Sequence, residues 1–157
     1  RPLCRAPAGD VSTIHASAVL VGPKAALIRG PSGSGKSQLV WDLIQAAGRG
    51  LLPFAQLVAD DRAYVEAAAG RLLVRPAEAL RGMLEVRGLG IRRLPHEPVA
   101  AVGFVVDLAV AEAERLPSAD ARTSNLEGVT LPRLTVAPGA PALTLVFAYL
   151  RVVPATD

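Results

Sequence analysis

The chain has 157 residues, of which 51% are hydrophobic, 20% charged and 4% aromatic. This length and composition predict one folded domain and exclude an intrinsically disordered protein. No apolar run reaches the ~20 residues of a membrane span, so we expect no membrane insertion. The net charge is +3, but the basic residues form no polybasic tract. Because aromatic residues are also few, we expect no nucleic-acid partner.

The N-terminal residues predict little structure. Residues 1–13 form a predicted leader, and residues 14–153 form the predicted core of a single kinase-type domain. The one cysteine, Cys4, excludes an internal disulfide and is typical of a reducing compartment. With no recognisable secretory signal, we expect a cytoplasmic protein.

Apolar segments of strand length alternate with helix-like segments along the chain. The predicted strands are 17–21, 25–28, 56–59, 63–66, 71–74, 99–108 and 131–136, and the predicted helices are 38–47, 76–83, 109–115 and 141–153. The β-branched residues of segment 141–153 leave a strand open there as the alternative. Segment 85–91 is predicted to be an irregular turn or short strand, and segment 117–128 a loop. A hairpin around Ala69-Gly70 interrupts the alternation. The pattern therefore predicts an α/β fold with a mixed central sheet flanked by helices.

A complete phosphate-binding loop follows the strand at 25–28. Its residues read Gly30, Pro31, Ser32, Gly33, Ser34, Gly35, Lys36 and Ser37, the G-x-x-x-x-G-K-S pattern. Glycines let several backbone N–H groups point at one phosphate, and the next helix adds its positive dipole end. The lysine then reaches the β/γ-phosphates, while the serine hydroxyl can hold Mg²⁺. We therefore predict a nucleotide-binding loop at 30–37.

Two acidic residues, Asp60 and Asp61, follow the apolar strand at 56–59. Ligands of open α/β sheets lie at the carboxyl ends of strands, so this pair is placed to orient a metal or a nucleophile. Adjacent residues of an extended chain point in opposite directions, so one carboxylate can face the phosphates. The residues alone leave open a turn-forming aspartate pair without chemistry.

Two further features stand apart from the loop. The segment 84–91 reads LEVRGLGI and places Glu85 and Arg87 among glycines and apolar residues. A surface ion pair beside a glycine turn would explain it equally well. His15 precedes the first strand, where a hydrogen-bonded structural histidine is the simpler interpretation.

Taken in this order and spacing, His15 with its strand, GPSGSGKS, ADD at 59–61 and LEVRGLGI resemble HPr kinase/phosphorylase, over about residues 15–150. The resemblance implies a P-loop fold of the HPr kinase and PEP carboxykinase type. It implies ATP and Mg²⁺ as cofactors, and an HPr-type phosphocarrier protein as the substrate phosphorylated on serine. A homo-oligomer, hexameric in the family, stays open.

The resemblance also implies roles for single residues. Lys36 would grip the phosphates, and Asp60 would be the general base on the substrate serine. Ser37, Asp61 and Glu85 would lie at the metal, and Glu85 and Arg87 would lie near the transferring phosphoryl group. His15 would tune the catalytic carboxylate.

Two departures from the family pattern limit the transfer of function. The chain looks like a short form without the family's N-terminal domain, and it lacks the basic segments expected after LEVRGLGI and around Pro138-Gly139. Those segments are linked to phosphorolysis, which is therefore in doubt. Two alternatives to a protein-serine kinase stay open: a catalytically silent ATP-binding sensor, and a P-loop kinase of a small metabolite.

Overall fold

The computed structural model describes residues 13–152 and residue 155. The predicted leader lies outside these residues except for Thr13, as do Cys4 and Val153. The strands are β1 (Thr13–Ile14), β2 (Ala16–Val21), β3 (Lys24–Arg29), β4 (Ala55–Ala59), β5 (Ala63–Ala68), β6 (Arg71–Pro76), β7 (Met83–Val86), β8 (Gly90–Arg93), β9 (Ala100–Asp107), β10 (Thr123–Leu126) and β11 (Val129–Thr135). The two α-helices are α1 (Lys36–Gly48) and α2 (Ala142–Arg151).

Nine strands form one mixed sheet, and β7 and β8 form a separate hairpin. The order is β1-β5-β6-β9-β3-β2-β4, with β11 and then β10 joined at β9. Strand β9 branches the sheet, because its first residues pair with β6 and its last residues pair with β11. Strands β1 and β2 are consecutive in the chain but pair with β5 and β3 respectively, so the sheet curls back toward itself.

Each side of the curled sheet has its own apolar core. Helix α1 packs Leu39, Val40, Leu43 and Ala46 against one face, a spacing that places all four on one side of a helix. The other face is enclosed by the sheet itself and buries small and β-branched side chains such as Ala18 and Val105. Burying each large aliphatic side chain contributes about 1.5–3 kcal/mol, so both layers hold the sheet in its curled form.

The predicted mixed α/β fold is confirmed, and the predicted strands, the hairpin at 63–74 and the helices at 38–47 and 141–153 correspond to elements of the structure. Two predicted helices are wrong. Segment 76–83 has only a short 3-10 turn, Glu78–Leu80, before β7 begins. Segment 109–115 is a turn, because Ala109 has a φ of 56° and the Val110 N–H donates to the Val136 carbonyl. The predicted loop at 117–128 contains β10.

Candidate active site

The sheet topology brings five chain segments to one edge. Strands β9 and β11 run parallel to β3, and β4 does so as well because β2 lies antiparallel between β3 and β4. The carboxyl ends of these parallel strands therefore meet the amino end of β2. This edge carries the predicted phosphate loop, the Asp60-Asp61 pair, and His15 and Ser17.

The segment from Gly30 to Gly35 links β3 to α1 in a curled conformation. Gly33 and Gly35 have φ values of 80° and 101°, which a side chain would disfavour. Gly35 caps α1 without a side-chain hydrogen bond, so the first amides of the helix face the loop. Lys36 is only 6% exposed, and its Nζ donates to the Gly30 carbonyl at 2.8 Å and the Pro31 carbonyl at 3.2 Å. The lysine thus braces the loop.

Asp60 is buried beneath this loop, with 6% of its surface exposed. Its Oδ1 accepts hydrogen bonds from Ser17 Oγ at 2.8 Å and Ser37 Oγ at 2.6 Å. Its Oδ2 accepts one from the Glu85 N–H at 3.1 Å. The Asp60 carboxylate therefore joins β2, the start of α1 and the β7–β8 hairpin at one point.

Asp61 points away from its neighbour. Its φ of 67° is left-handed, a conformation that aspartate tolerates better than most residues. The Asp61 N–H donates to Ser17 Oγ at 3.1 Å, which fixes this bend. The side chain is 57% exposed, and its Oδ1 lies 3.4 Å from Nε2 of His15, itself 52% exposed. Asp61 is the member of the pair that reaches solvent.

A cleft of about 510 Å³ opens over these residues. Helix α1 and the phosphate loop form one wall, from Ser32 to Gln38, while Asp61, Glu85 and Arg87 form the other. Glu85 lies on β7, and Arg87 lies in the turn before β8, both exposed. The lining is mostly polar and carries both signs of charge, as a phosphoryl-transfer site requires.

The structure brings together all the residues predicted for the site, but not in the predicted arrangement. Ser32 to Ser37, Asp61, Glu85 and Arg87 line the cleft, His15 contacts Asp61, and the carbonyls of Gly30 and Pro31 hold Lys36. Asp60, predicted as general base, does not line the cleft, and both its oxygens already accept hydrogen bonds. Asp61, rather than Asp60, is therefore the aspartate that lines the cleft.

Sequence reasoning missed Ser17, which contacts both aspartates from the buried face of β2. The signal was a single hydroxyl in the otherwise apolar strand ASAVLV. It also missed an ion cluster beside the loop, in which Asp107 accepts two hydrogen bonds from Arg29 and one from Arg133. Burial opposes the charge on Asp107, but the two guanidinium groups outweigh it and lower the pKa of the carboxyl.

Nucleotide and Mg²⁺ fit the residues present. Ser34 Oγ is buried in the loop without a hydrogen-bond partner among the described residues, as expected of a group that meets a ligand. Ser37 and the strand-end carboxylate of Asp60 are of the same residue types as the serine and aspartate that hold Mg²⁺ in P-loop proteins, and the two are hydrogen-bonded to each other. Because such sites use few protein ligands besides the phosphates, it is in keeping that the described residues hold no cluster of three His, Cys, Asp or Glu.

Comparison with known proteins identifies the family. The model of the HPr Serine kinase C-terminal domain matches residues 9–96, more than half of the chain. The chain therefore belongs to the HPr Serine kinase C-terminal domain family. No helix among the described residues is long and apolar enough to cross a membrane.

Relatives and a solved structure agree with this assignment. HPr kinase/phosphorylase of Lactococcus lactis is 40% identical over 81 residues, which are 51% of this chain and 24% of the relative. That of Clostridium tetani is 42% identical over 69 residues, which are 44% of this chain and 20% of the relative. The chain thus matches about a quarter or less of these relatives. The structure of the HPr(Ser) kinase/phosphatase of Coxiella burnetii matches with a TM-score of 0.70 and 23% identity, over 89% of this chain and 94% of that one, and shows the same fold.

Proposed function

We propose that this protein is a serine kinase that transfers the γ-phosphoryl group of ATP to a serine of an HPr-type phosphocarrier protein. The observation that carries the proposal is the cleft itself, where a phosphate loop faces Asp61, Glu85 and Arg87 across about 510 Å³. Membership of the HPr Serine kinase C-terminal domain family and the names of the relatives supply the substrate class.

The geometry favours exchanging the two roles expected for the aspartates. Asp61 is exposed in the cleft, so we assign to it the general base that accepts the proton of the substrate serine. His15, 3.4 Å away, would orient that carboxylate. The burial of Asp60 and its hydrogen bond with Ser37 instead support a role in holding the metal.

The phosphates would be held by the backbone amides of residues 33–37 and by Lys36. Ser37 and Asp60, with Glu85 beside them, would hold Mg²⁺, which would neutralise the charge of the phosphates. Arg87 lies across the cleft from the loop, where its positive charge would meet the equatorial oxygens of the transferring group. These assignments use every charged residue on the two walls.

The test is direct phosphorylation. The protein is incubated with ATP, Mg²⁺ and an HPr-type phosphocarrier, and phosphoserine is mapped by mass spectrometry. We expect one phosphorylated serine, with no product from an acceptor in which that serine is alanine. Asp61→Asn should abolish the product, whereas Asp120→Asn, on the exposed 3-10 turn before β10, should not. ATP binding without any phosphoserine would instead support the silent sensor.

A further inference from the structure

A second space continues from the phosphate cleft on the far side of the loop. It has a volume of about 390 Å³ and shares Ser34, Gly35 and Gln38 with the cleft. Its other walls are Leu39 and Asp42 of α1, Leu108 and Ala109 after β9, and the segment 136–143, which leads into α2. We call this space the trough. Its volume falls within the range of small-molecule sites in proteins.

We infer that the trough binds the nucleoside half of the nucleotide, an adenine base with its ribose. The inference rests on the proposed function and adds to it where the part of ATP remote from the reaction is held. It follows from three observations: the direction in which the nucleotide must extend, the chemistry of the trough walls, and a buried oxygen at the junction.

The direction in which a bound nucleotide would extend follows from the topology of the sheet. The residues assigned to the base and the metal, Asp61, Asp60 and Glu85, lie on the β4 side of the loop. The trough lies on the opposite side, at the ends of β9 and β11. A nucleotide with its γ-phosphate beside Asp61 and its β-phosphate in the loop must extend its nucleoside toward β9 and β11. The trough is the space it meets there.

The walls fit a base and a sugar. Leu39, Leu108 and the segment 137–142 present aliphatic, proline and glycine surface, which suits the faces of an aromatic base. One polar pair interrupts this surface: Gln38 Nε2 donates to Asp42 Oδ1 at 2.8 Å. The Asp42 carboxylate retains free acceptor capacity, and acidic side chains at nucleotide sites accept hydrogen bonds from ribose hydroxyls.

The third observation concerns Ser34, which lies at the junction between the cleft and the trough. Ser34 lines both spaces, and its buried Oγ has no hydrogen-bond partner among the described residues. Ala109, on the wall of the trough, has a φ of 56°, a conformation that alanine rarely adopts, and such residues concentrate at ligand sites. A ligand that passes from cleft to trough would cross at Ser34, whose hydroxyl is not engaged by any described residue.

The experiment compares a ligand that would fill both spaces with one that fills the cleft alone. Binding of ADP and of inorganic pyrophosphate, each with Mg²⁺, is measured by calorimetry for the intact protein and its variants. Ala140→Trp fills the trough from an exposed position, and Asp42→Ala removes its carboxylate. Ala67→Trp, on the exposed side of β5, is the matched control.

We expect the unaltered protein to bind ADP more tightly than pyrophosphate. Ala140→Trp should weaken ADP binding at least tenfold, and Asp42→Ala several-fold, while pyrophosphate binding stays within twofold and Ala67→Trp changes neither. Unchanged ADP binding in both trough variants, or equal loss of both ligands, would overturn the inference and leave the proposed function standing. A protein that binds neither ligand would refute both.

Discussion

The exchange of roles between Asp60 and Asp61 yields the sharpest prediction. The perturbation is a pair of single substitutions, Asp60→Asn and Asp61→Asn, which remove one negative charge each from adjacent positions. The two side chains differ in exposure and in partners, so the variants should fail in different ways.

Asp61→Asn should leave the fold intact. The Asp61 carboxylate is 57% exposed and its contact with His15 is 3.4 Å, and exposed pairs of this kind contribute about 0–1 kcal/mol to stability. A general base, however, accelerates transfer about 10²–10⁴-fold, which is about 2.7–5.4 kcal/mol of activation free energy. We expect the rate to fall by that factor while the affinity for Mg²⁺-ADP changes little.

Asp60→Asn should impair the fold and the metal site instead. An amide oxygen can keep the two serine hydroxyls as donors, but the amide nitrogen then faces the Glu85 N–H. An unsatisfied buried donor costs about 1–3 kcal/mol, which for a domain of this size lowers the melting temperature by roughly 2–12 °C. The loss of the carboxylate beside Ser37 should also weaken Mg²⁺-dependent ADP binding.

The assay measures three quantities on the same preparations: the rate of phosphoserine formation, the affinity for ADP with and without Mg²⁺, and the melting temperature. Asp120→Asn provides the control for removing a surface charge. An Asp61→Asn variant with an unaltered rate would refute the assignment of the base. So would an Asp60→Asn variant that loses only transfer, with stability and metal-dependent binding preserved.

Three further predictions concern the loop and its support. Lys36→Met should weaken ADP binding more than tenfold by calorimetry, because the buried ammonium group donates to the Gly30 and Pro31 carbonyls and would also contact phosphate. Gly30→Ala should destabilise the protein by about 1–3 kcal/mol in urea and weaken pyrophosphate binding, since the added Cβ would lie 3.1 Å from Leu108 Cβ and 2.5 Å from Ser34 Oγ. Asp107 has a lowered pKa in the folded protein, so its charge stabilises the fold above pH ~4, the unfolded pKa, and this contribution is lost as pH falls through the folded pKa. The stability difference between the unaltered protein and Asp107→Asn should therefore be constant near pH 7 and shrink below pH 4; a difference independent of pH would contradict the prediction.

Local patterns predicted the parts of the site whose geometry depends on neighbouring residues in the chain. The phosphate loop follows from its glycines, and the strand before it and the helix after it follow from their apolar spacing. The two helices predicted wrongly lie where contacts with distant residues determine the backbone conformation. Gly82 has a φ of 73°, and Met83 pairs with Arg93, so the segment enters a hairpin instead of continuing a helix.

The same limit applies to the aspartate pair. The alternation of side chains along a strand predicted that one of the two carboxylates faces the phosphates, but not which one. That depends on the left-handed turn at Asp61, and the turn is held by Ser17, 44 residues earlier in the chain. The role of a hydroxyl so distant cannot be derived from the sequence around the pair.

The antiparallel strand between β3 and β4 explains why the site contains residues from the first elements of the chain. In a wholly parallel sheet, the amino end of β2 would lie at the edge away from the phosphate loop. Because β2 runs in the opposite direction, its amino end, with His15 and Ser17, lies among the carboxyl ends of its neighbours. Ser17 then fixes both aspartates, while His15 reaches only the exposed one. One reversed strand thus gives two adjacent carboxylates different surroundings, the condition for the different roles proposed for them.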